Sequence, residues 1–445
     1  MRKTIIALIS LMFLLATYFY FVFYPKMEII SGYNAKILCS CIFVTEMTEN
    51  NATRIDLGFG PLYLASNEVD LKLKSVSSSV WGMHPKKAIY REGLGCTLMH
   101  DGSDETTARQ KLDLSAVEYG EEIWPEEPKA TNEALSLVIA KAFDKPGETV
   151  LNTRAVLVIK QGEIIGEAYG EGFGMDSKLP GWSMMKSVNA ALVGLLAKDG
   201  YWSLDDPAPI ESWSNDERKN ITIRHLLNMS SGLDWEEDYT KVSTAVTMLY
   251  ASSNMGQYAL NRPLAYPPGE HWCYSSGTSN ILALMVADAF PNREAYWNYA
   301  YTRLFGPIGM SSFIGETDAS GVFVGSSYGH GSARDWAKFA LLFMNEGQWF
   351  GTQILDSSWV NFCRSTVESS GGSYGGQFWT NGNNRLKSFE KSDYWLDGFQ
   401  GQQVSIHHSH NLIVLRMGVL YDEKDFDFDQ WTGEIMKVSN GPQFP

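Results

Sequence analysis

In "GWSMMKSVNAALVGLL", residues 181–196, a serine stands three places before a lysine, Ser183 before Lys186. A hydroxyl and an amine held together can work as nucleophile and base. Three residues of helix rise about 4.5 Å and turn about 300°, so both side chains share one face. Val188, Ala191, Leu192, Leu195 and Leu196 continue at helical spacing, and Gly200 closes the segment. The pair therefore sits near a helix N-terminus, where outward-pointing N–H groups favour a developing negative charge. The same spacing recurs at Ser388–Lys391, but "KSFEKSDYW" is charged and carries no helical stripe. That second copy reads as chance.

A lysine acts as a base only when neutral. From a free pKa near 10.4, neutrality at pH 7 costs roughly 4–5 kcal/mol. Burial and a neighbouring proton carrier must shift that balance. "PPGEHWCYSSGTSNILALMVADAF", residues 267–290, supplies a carrier in Tyr274, with Ser276 two residues on and a helix starting near Ser279. A phenol between Ser183 and Lys186 can relay a proton to a leaving group. The plainer reading makes Tyr274 a structural tyrosine.

These groups need a scaffold. "NEALSLVIAKAFD" is an amphipathic helix, and "RAVLVIK" with "EIIGEAYG" forms a hairpin across Gln161-Gly162. Residues 201–350 are mostly helical. The tail returns to three strands in "YGGQFWTN", "DYWLDGFQGQQVSIHH" and "NLIVLRMGVL", and a helix near 428–438 ends the pattern. Strands from both ends would form one sheet between helices, with the middle as a helical lobe and the cleft between them as the site. Upstream, residues 27–100 read as a β-rich accessory region: "DLKLKSVSSSVWG" alternates and "KKAIYREGLGCTLM" is its hairpin partner. Residues 101–130 read as a linker before the domain at 131–445.

The chain has 445 residues, 44% apolar and 20% charged, as in a globular protein. Its net charge of −15 argues against nucleic acid, which needs a basic face. Arg2 and Lys3 precede an uncharged stretch from Thr4 to Tyr24. That is near the length of a membrane span, so residues 1–26 are expected to be a signal anchor, with a cleaved signal peptide as the alternative. Either reading exports the body to the cell envelope, residues 1–3 staying in the cytoplasm. Export permits a disulfide, Cys41–Cys96 or Cys39–Cys96, among five cysteines.

With these segments in order, the chain resembles the serine β-lactamase and penicillin-binding-protein superfamily, in the class C-like branch with 6-aminohexanoate-dimer hydrolases and esterases. The resemblance covers roughly residues 131–440. It rests on "SMMKS" at 183–187, "LDDP" at 204–207, "ITIRHLLNMSSGL" at 221–233, "PPGEHWCYSSG" at 267–277, "SARDWAKFALLFMNEGQW" at 332–349 and "GFQGQQVSIHHSHNLIVLRMG" at 398–418. It implies a mixed α/β (α+β) fold, an antiparallel sheet sandwiched by helices with a helical lobe. It implies Ser183 as nucleophile, Lys186 as base and Tyr274 as proton shuttle, with no cofactor and no metal. Ser276 takes the place of the usual Asn. The third motif, usually Lys/His-Thr/Ser-Gly, falls on Phe399-Gln400-Gly401, and the oxyanion hole on the backbone N–H groups of Ser183 and Gln402. The third motif lacks a cation, so the implied substrates are small esters or amides without a carboxylate.

Two rivals remain open at this point. "GSSYG" at 325–329 fits the G-x-S-x-G elbow of α/β-hydrolases with Ser327 as nucleophile, followed by Asp397 and His407 in that fold's order. That elbow needs a helix starting at the serine, whereas the next helix starts near Ser332 or Ala333. A membrane-tethered binding scaffold without catalysis is the other, and a complete Ser–Lys–Tyr set argues against it. His407, His408 and His410 read as solvated turn histidines rather than metal ligands.

Overall fold

The computed structural model describes residues 2–100, 110–125 and 132–440. The parts of the expected linker at 101–109 and 126–130 lie outside the described residues, as does the first residue of the expected domain, 131. The described part of that segment is no free tether. Leu112 and Trp124 are buried, and the Trp124 indole donates to the Gly162 carbonyl.

A helix runs from Arg2 to Tyr18 (α1), passes through a π-helical turn at Phe19–Phe23, and continues as Tyr24–Phe43 (α2). Residues 3–43 form one helical stretch long and apolar enough to cross a membrane by length and composition. Ile5, Leu8, Met12, Phe13 and Phe21 are exposed, whereas Met27 to Cys41 are largely buried. The boundary expected at 26/27 therefore falls inside a helix.

The accessory region is correspondingly less β-rich than its alternation suggests. Its strands are β1 (Ala65–Asp70), β2 (Ser75–Val80), β3 (Met83–Arg91) and β4 (Gly95–Met99), an antiparallel meander packed on α2. "LKL" at 71–73 is the β1–β2 turn, with Leu71 and Leu73 exposed. Cys39 of α2 bonds Cys96 of β4, which leaves Cys41 as a buried free thiol.

This unit is locked to the rest of the chain by buried charge. Lys36 pairs with Glu316, which also takes bonds from the Ser40 hydroxyl at 2.9 Å and the Cys96 N–H at 2.6 Å. Arg154 pairs with Asp56 at 2.6 Å. Removing one member of such a pair strands an uncompensated charge, so these contacts fix the orientation of the unit.

The main domain opens on α3 (Glu133–Ile139) and a hairpin of β5 (Thr153–Lys160) and β6 (Glu163–Tyr169). The hairpin turns at Gln161 and Gly162, both at positive φ, as a tight right-twisting turn requires. The helix carrying Lys186 follows as α4 (Met185–Lys198), then α5 (Thr244–Ala251), α6 (Ser276–Asp288) and α7 (Ala333–Met344). The tail supplies β7 (Trp379–Thr380), β8 (Tyr394–Gly398), β9 (Gln402–His407) and β10 (Leu412–Gly418), and then α8 (Phe428–Ser439). The sheet order is β7-β8-β9-β10-β5-β6, all antiparallel. Four tail strands, not three, build it, because "DYWLDGFQGQQVSIHH" folds back on itself at Phe399–Gly401.

Alternation on β5 explains the sandwich. Val156 and Val158 pack with α3 and α8, while Ala155, Leu157 and Ile159 face the main core with α7. Both faces are covered, so the strand reads as a continuous apolar run. The helix α4 is buried all round, which makes it the axle of the helical lobe.

Candidate active site

Ser183 lies in a single 3₁₀ turn, Trp182–Met184, directly ahead of α4. Trp182 holds φ +47°, a left-handed conformation that costs a bulky L-residue roughly 1–2 kcal/mol. The rings of Tyr328 and Phe399 meet its indole at 6.1 and 5.5 Å and hold the turn in place. Gly398, at the end of β8, presses on the same turn. A Cβ there would come 2.2 Å from the Gly181 carbonyl oxygen, so only glycine lets the strand end approach the Ser183 turn this closely.

Lys186, the second residue of α4, is buried. Its Nζ lies 3.0 Å from each of three oxygens: Ser183 Oγ, Ser276 Oγ and the Ser326 carbonyl. A neutral amine has two N–H donors and one lone pair. The Ser326 carbonyl only accepts. Ser276 donates its own proton to Glu237, which leaves its oxygen free to accept from lysine. The lone pair is then available to the Ser183 hydroxyl. Burial lowers the Lys186 pKa to about 8 against the opposing pull of Glu237 and Asp397. At pH 7 this cuts the cost of a neutral lysine from roughly 5 kcal/mol to between about 1 and 2.

Tyr274 precedes α6, its ring 4.7 Å from Lys186 Nζ and stacked on Trp379 at 5.3 Å. Burial holds its pKa well above the ordinary value, with Glu237 and Asp397 pushing the same way and the neighbouring Ser183 hydroxyl opposing. The phenol therefore stays protonated, and the lysine is the group able to accept a proton.

The sequence reading did not find Glu237 or Tyr239. Glu237 accepts from the Ser276 N–H at 2.9 Å, the Trp235 indole at 2.5 Å and the Tyr239 hydroxyl at 2.8 Å. Tyr239 also lies 3.3 Å from Ser276 Oγ and stacks on Phe399 at 5.9 Å. Their segment, "DWEEDYTK", looks like any solvated acidic loop until it folds over Ser276. Replacing Glu237 by Gln removes a charge that stabilises protonated Lys186. The acid limb of the kcat/KM profile is expected to move to lower pH, by about one unit. An unmoved or raised limb in stopped-flow pH profiles would contradict this electrostatic role.

These groups border a cavity of about 410 Å³, within the range of small-molecule sites. Ser183, Tyr274, Phe399, Trp379 and Asp397 line it. Burial, reinforced by Glu423, lifts Asp397 to about pKa 7. Lys186 and Ser276 stand behind this lining.

Gln400, Gly401 and Gln402 form the turn behind Phe399 and do not line the cavity. Gln400 is buried at φ +64°. The Gly401 carbonyl accepts from Arg416. The Gln402 side chain bonds the Phe399 and Gly418 carbonyls. Arg416 is fully committed to Gly401, Leu151 and Thr153. Arg385 lies over the rings of Trp379 and Trp395, and the Lys387 ammonium bonds the Asn384 carbonyl. Among the described residues, the tail thus places no cation in the lining of the cavity. Lys26 and Lys241 line it from other parts of the chain.

The Ser327 alternative is not assembled. Ser327 lines the cavity, but its hydroxyl pairs with Ser326, and α7 starts six residues later. Both ring nitrogens of His407 are taken, by Asp393 at 2.7 Å and Ser405 at 2.9 Å. That histidine is buried rather than solvated. His408 likewise pairs with Arg364 at 2.9 Å.

The sequence model of the Beta-lactamase family matches residues 140–418. The chain belongs to the beta-lactamase family. It is 23% identical over 318 residues to the 6-aminohexanoate-dimer hydrolase of Paenarthrobacter ureafaciens, covering 64% of this chain and 79% of that one. Two solved structures share the fold. A Bacillus anthracis protein assigned as a 6-aminohexanoate-dimer hydrolase superposes with TM-score 0.60 at 19% identity, over 74% of this chain and 91% of that one. A penicillin-binding protein from Bacillus halodurans gives 0.50 at 16%, over 68% and 99%. The chain is a beta-lactamase-family hydrolase, and Ser183, Lys186 and Tyr274 all fall within the matched span.

Proposed function

We propose that this protein hydrolyses an ester or amide bond through an acyl-enzyme on Ser183. The three oxygens around Lys186 Nζ carry the reading, because they suit a neutral amine that accepts the serine proton. Ser183 Oγ attacks the substrate carbonyl carbon as its proton passes to Lys186. The carbonyl becomes an oxyanion held by the N–H groups of Ser183 and Gln402. The tetrahedral adduct then expels the leaving group, which takes a proton relayed through Tyr274. Water repeats the sequence on the acyl-enzyme, releasing the acid and restoring Ser183. Glu237 holds Ser276 and Tyr239 in place beside the base.

The substrate is a small ester or amide, and the third motif sets its class. Phe399 offers a ring to the cavity where a cation would grip a carboxylate. A charge-assisted bond contributes roughly 1.5–3 kcal/mol, against about 1 for a neutral one. Its loss should weaken carboxylate-bearing substrates about tenfold or more. Neutral p-nitrophenyl esters are expected to turn over, and nitrocefin to lag behind them. A nitrocefin kcat/KM above that for the esters would refute the substrate class. Covalent labelling by a fluorophosphonate tests the serine itself and separates an enzyme from a binding scaffold.

The N-terminal helix anchors the body to a membrane on its exported side. Its long exposed apolar face supports this reading, and the Cys39–Cys96 bond agrees with an oxidising compartment.

A further inference from the structure

The cavity reaches far beyond the catalytic groups. From Ser183 it continues along Ile29, Ile30 and Tyr33 of α2 and along Phe59 and Leu62 beyond it. The rings form an unbroken wall. Tyr239 stacks on Phe399, Phe399 meets Phe59 at 6.1 Å, Phe59 meets Tyr33 at 5.8 Å, and Tyr33 meets Tyr250 of α5 at 5.1 Å. This arm is almost wholly apolar. Its walls meet where the buried Lys36–Glu316 pair docks α2, and the buried Arg154–Asp56 pair the segment beyond it, on the hydrolase domain.

The other end of α2 fixes where the arm lies. Lys26, on the cavity wall, follows Val22, an exposed apolar residue of the N-terminal helix, by four residues, or about 6 Å of helix. Aromatic side chains crowd this junction. Tyr18, Tyr20 and Phe21 are exposed, and Trp81, 60% exposed at the β2–β3 turn, stacks on Phe23 at 5.7 Å. Rings of this kind gather at a membrane–water interface, and lysine just outside them keeps its head in water. Tyr33 lies nine residues beyond Tyr24, so the arm spans roughly 14 Å above that belt.

We infer that the arm holds the hydrocarbon chain of a membrane-resident ester or amide, which enters beside Lys26 and presents its carbonyl to Ser183. This rests on the hydrolase reading above and names its substrate class. A chain leaving the bilayer along α2 meets apolar side chains from the belt to the nucleophile. Each methylene buried there adds to transition-state binding, about tenfold for every two.

The test uses the full-length protein reconstituted in phosphatidylcholine vesicles. First, p-nitrophenyl acetate, butyrate, octanoate and dodecanoate are compared. The kcat/KM is expected to climb steeply from acetate towards the long chains. Ile29→Trp and Leu62→Trp narrow the arm and are expected to lower the dodecanoate-to-acetate ratio at least tenfold. Fluorophosphonate labelling of each variant reports whether its site is folded. Second, a long-chain ester is placed either in the enzyme's own vesicles or in separate ones. Turnover at least tenfold faster in the shared vesicles is expected, and equal rates would mean the chain arrives from water and would overturn the membrane route. Acetate turnover that depends on Ser183 but does not rise with chain length would overturn the inference and leave the hydrolase reading standing. No Ser183-dependent turnover at any length would sink the hydrolase reading itself.

Discussion

Replacing Ser183 by alanine is expected to abolish fluorophosphonate labelling and to lower ester kcat/KM by about four orders of magnitude or more. The size follows from the mechanism. Without Oγ no acyl-enzyme forms, and the remaining donors can only polarise a carbonyl for water. The chain carries its own control. Ser327 lines the same cavity, so a general disturbance of the pocket would show equally in Ser327→Ala. That variant should keep the covalent label, because the Ser327 hydroxyl pairs with the Ser326 hydroxyl rather than with a base. Persistent labelling in Ser183→Ala, or its loss in Ser327→Ala alone, would move the nucleophile to the second serine.

Removal of the base is the next largest effect. Lys186→Met is expected to lower kcat/KM by about two to four orders of magnitude. Lys186→Arg should restore little, since a guanidinium keeps its proton and cannot accept the serine's. The wild-type pH profile carries the sign. Burial places Lys186 at about pKa 8, so the active neutral form is scarce below that pH and dominant above it. The kcat/KM should therefore rise about tenfold per pH unit up to pH 8 and level off beyond it. The limb should be absent from Lys186→Met. A profile already flat from about pH 6 to about pH 9 would exclude lysine as the titrating base, because Tyr274 is held protonated throughout that window.

Much of the chemistry was legible in one dimension. Ser183 and Lys186 are local neighbours, and helical geometry alone puts them on one face. Tyr274 was legible through its motif and its place before a helix. The Gln161-Gly162 turn followed from local backbone preference, and the sheet strands from their apolar runs. The missing cation in Phe399-Gln400-Gly401 is likewise a property of the residues themselves.

Tertiary structure decided the rest, wherever meaning depends on what a residue meets across the fold. Glu237 and Tyr239 are ordinary loop residues until their loop closes on Ser276, ninety places from Lys186 in sequence. The choice of Cys39 over Cys41 depended on which face of α2 meets β4, which the apolar sequence around both cysteines does not mark. Residues 24–43 gave no helical stripe because that helix is buried nearly all round, so its apolar residues show no period. The same burial hid the role of the accessory region. Tyr33 and Phe59 become walls of the cavity only after buried ion pairs, formed across some hundred to nearly three hundred residues, press α2 and the segment beyond it onto the hydrolase domain. A sequence displays its near-neighbour geometry directly, whereas contacts of that range exist only once the core has formed.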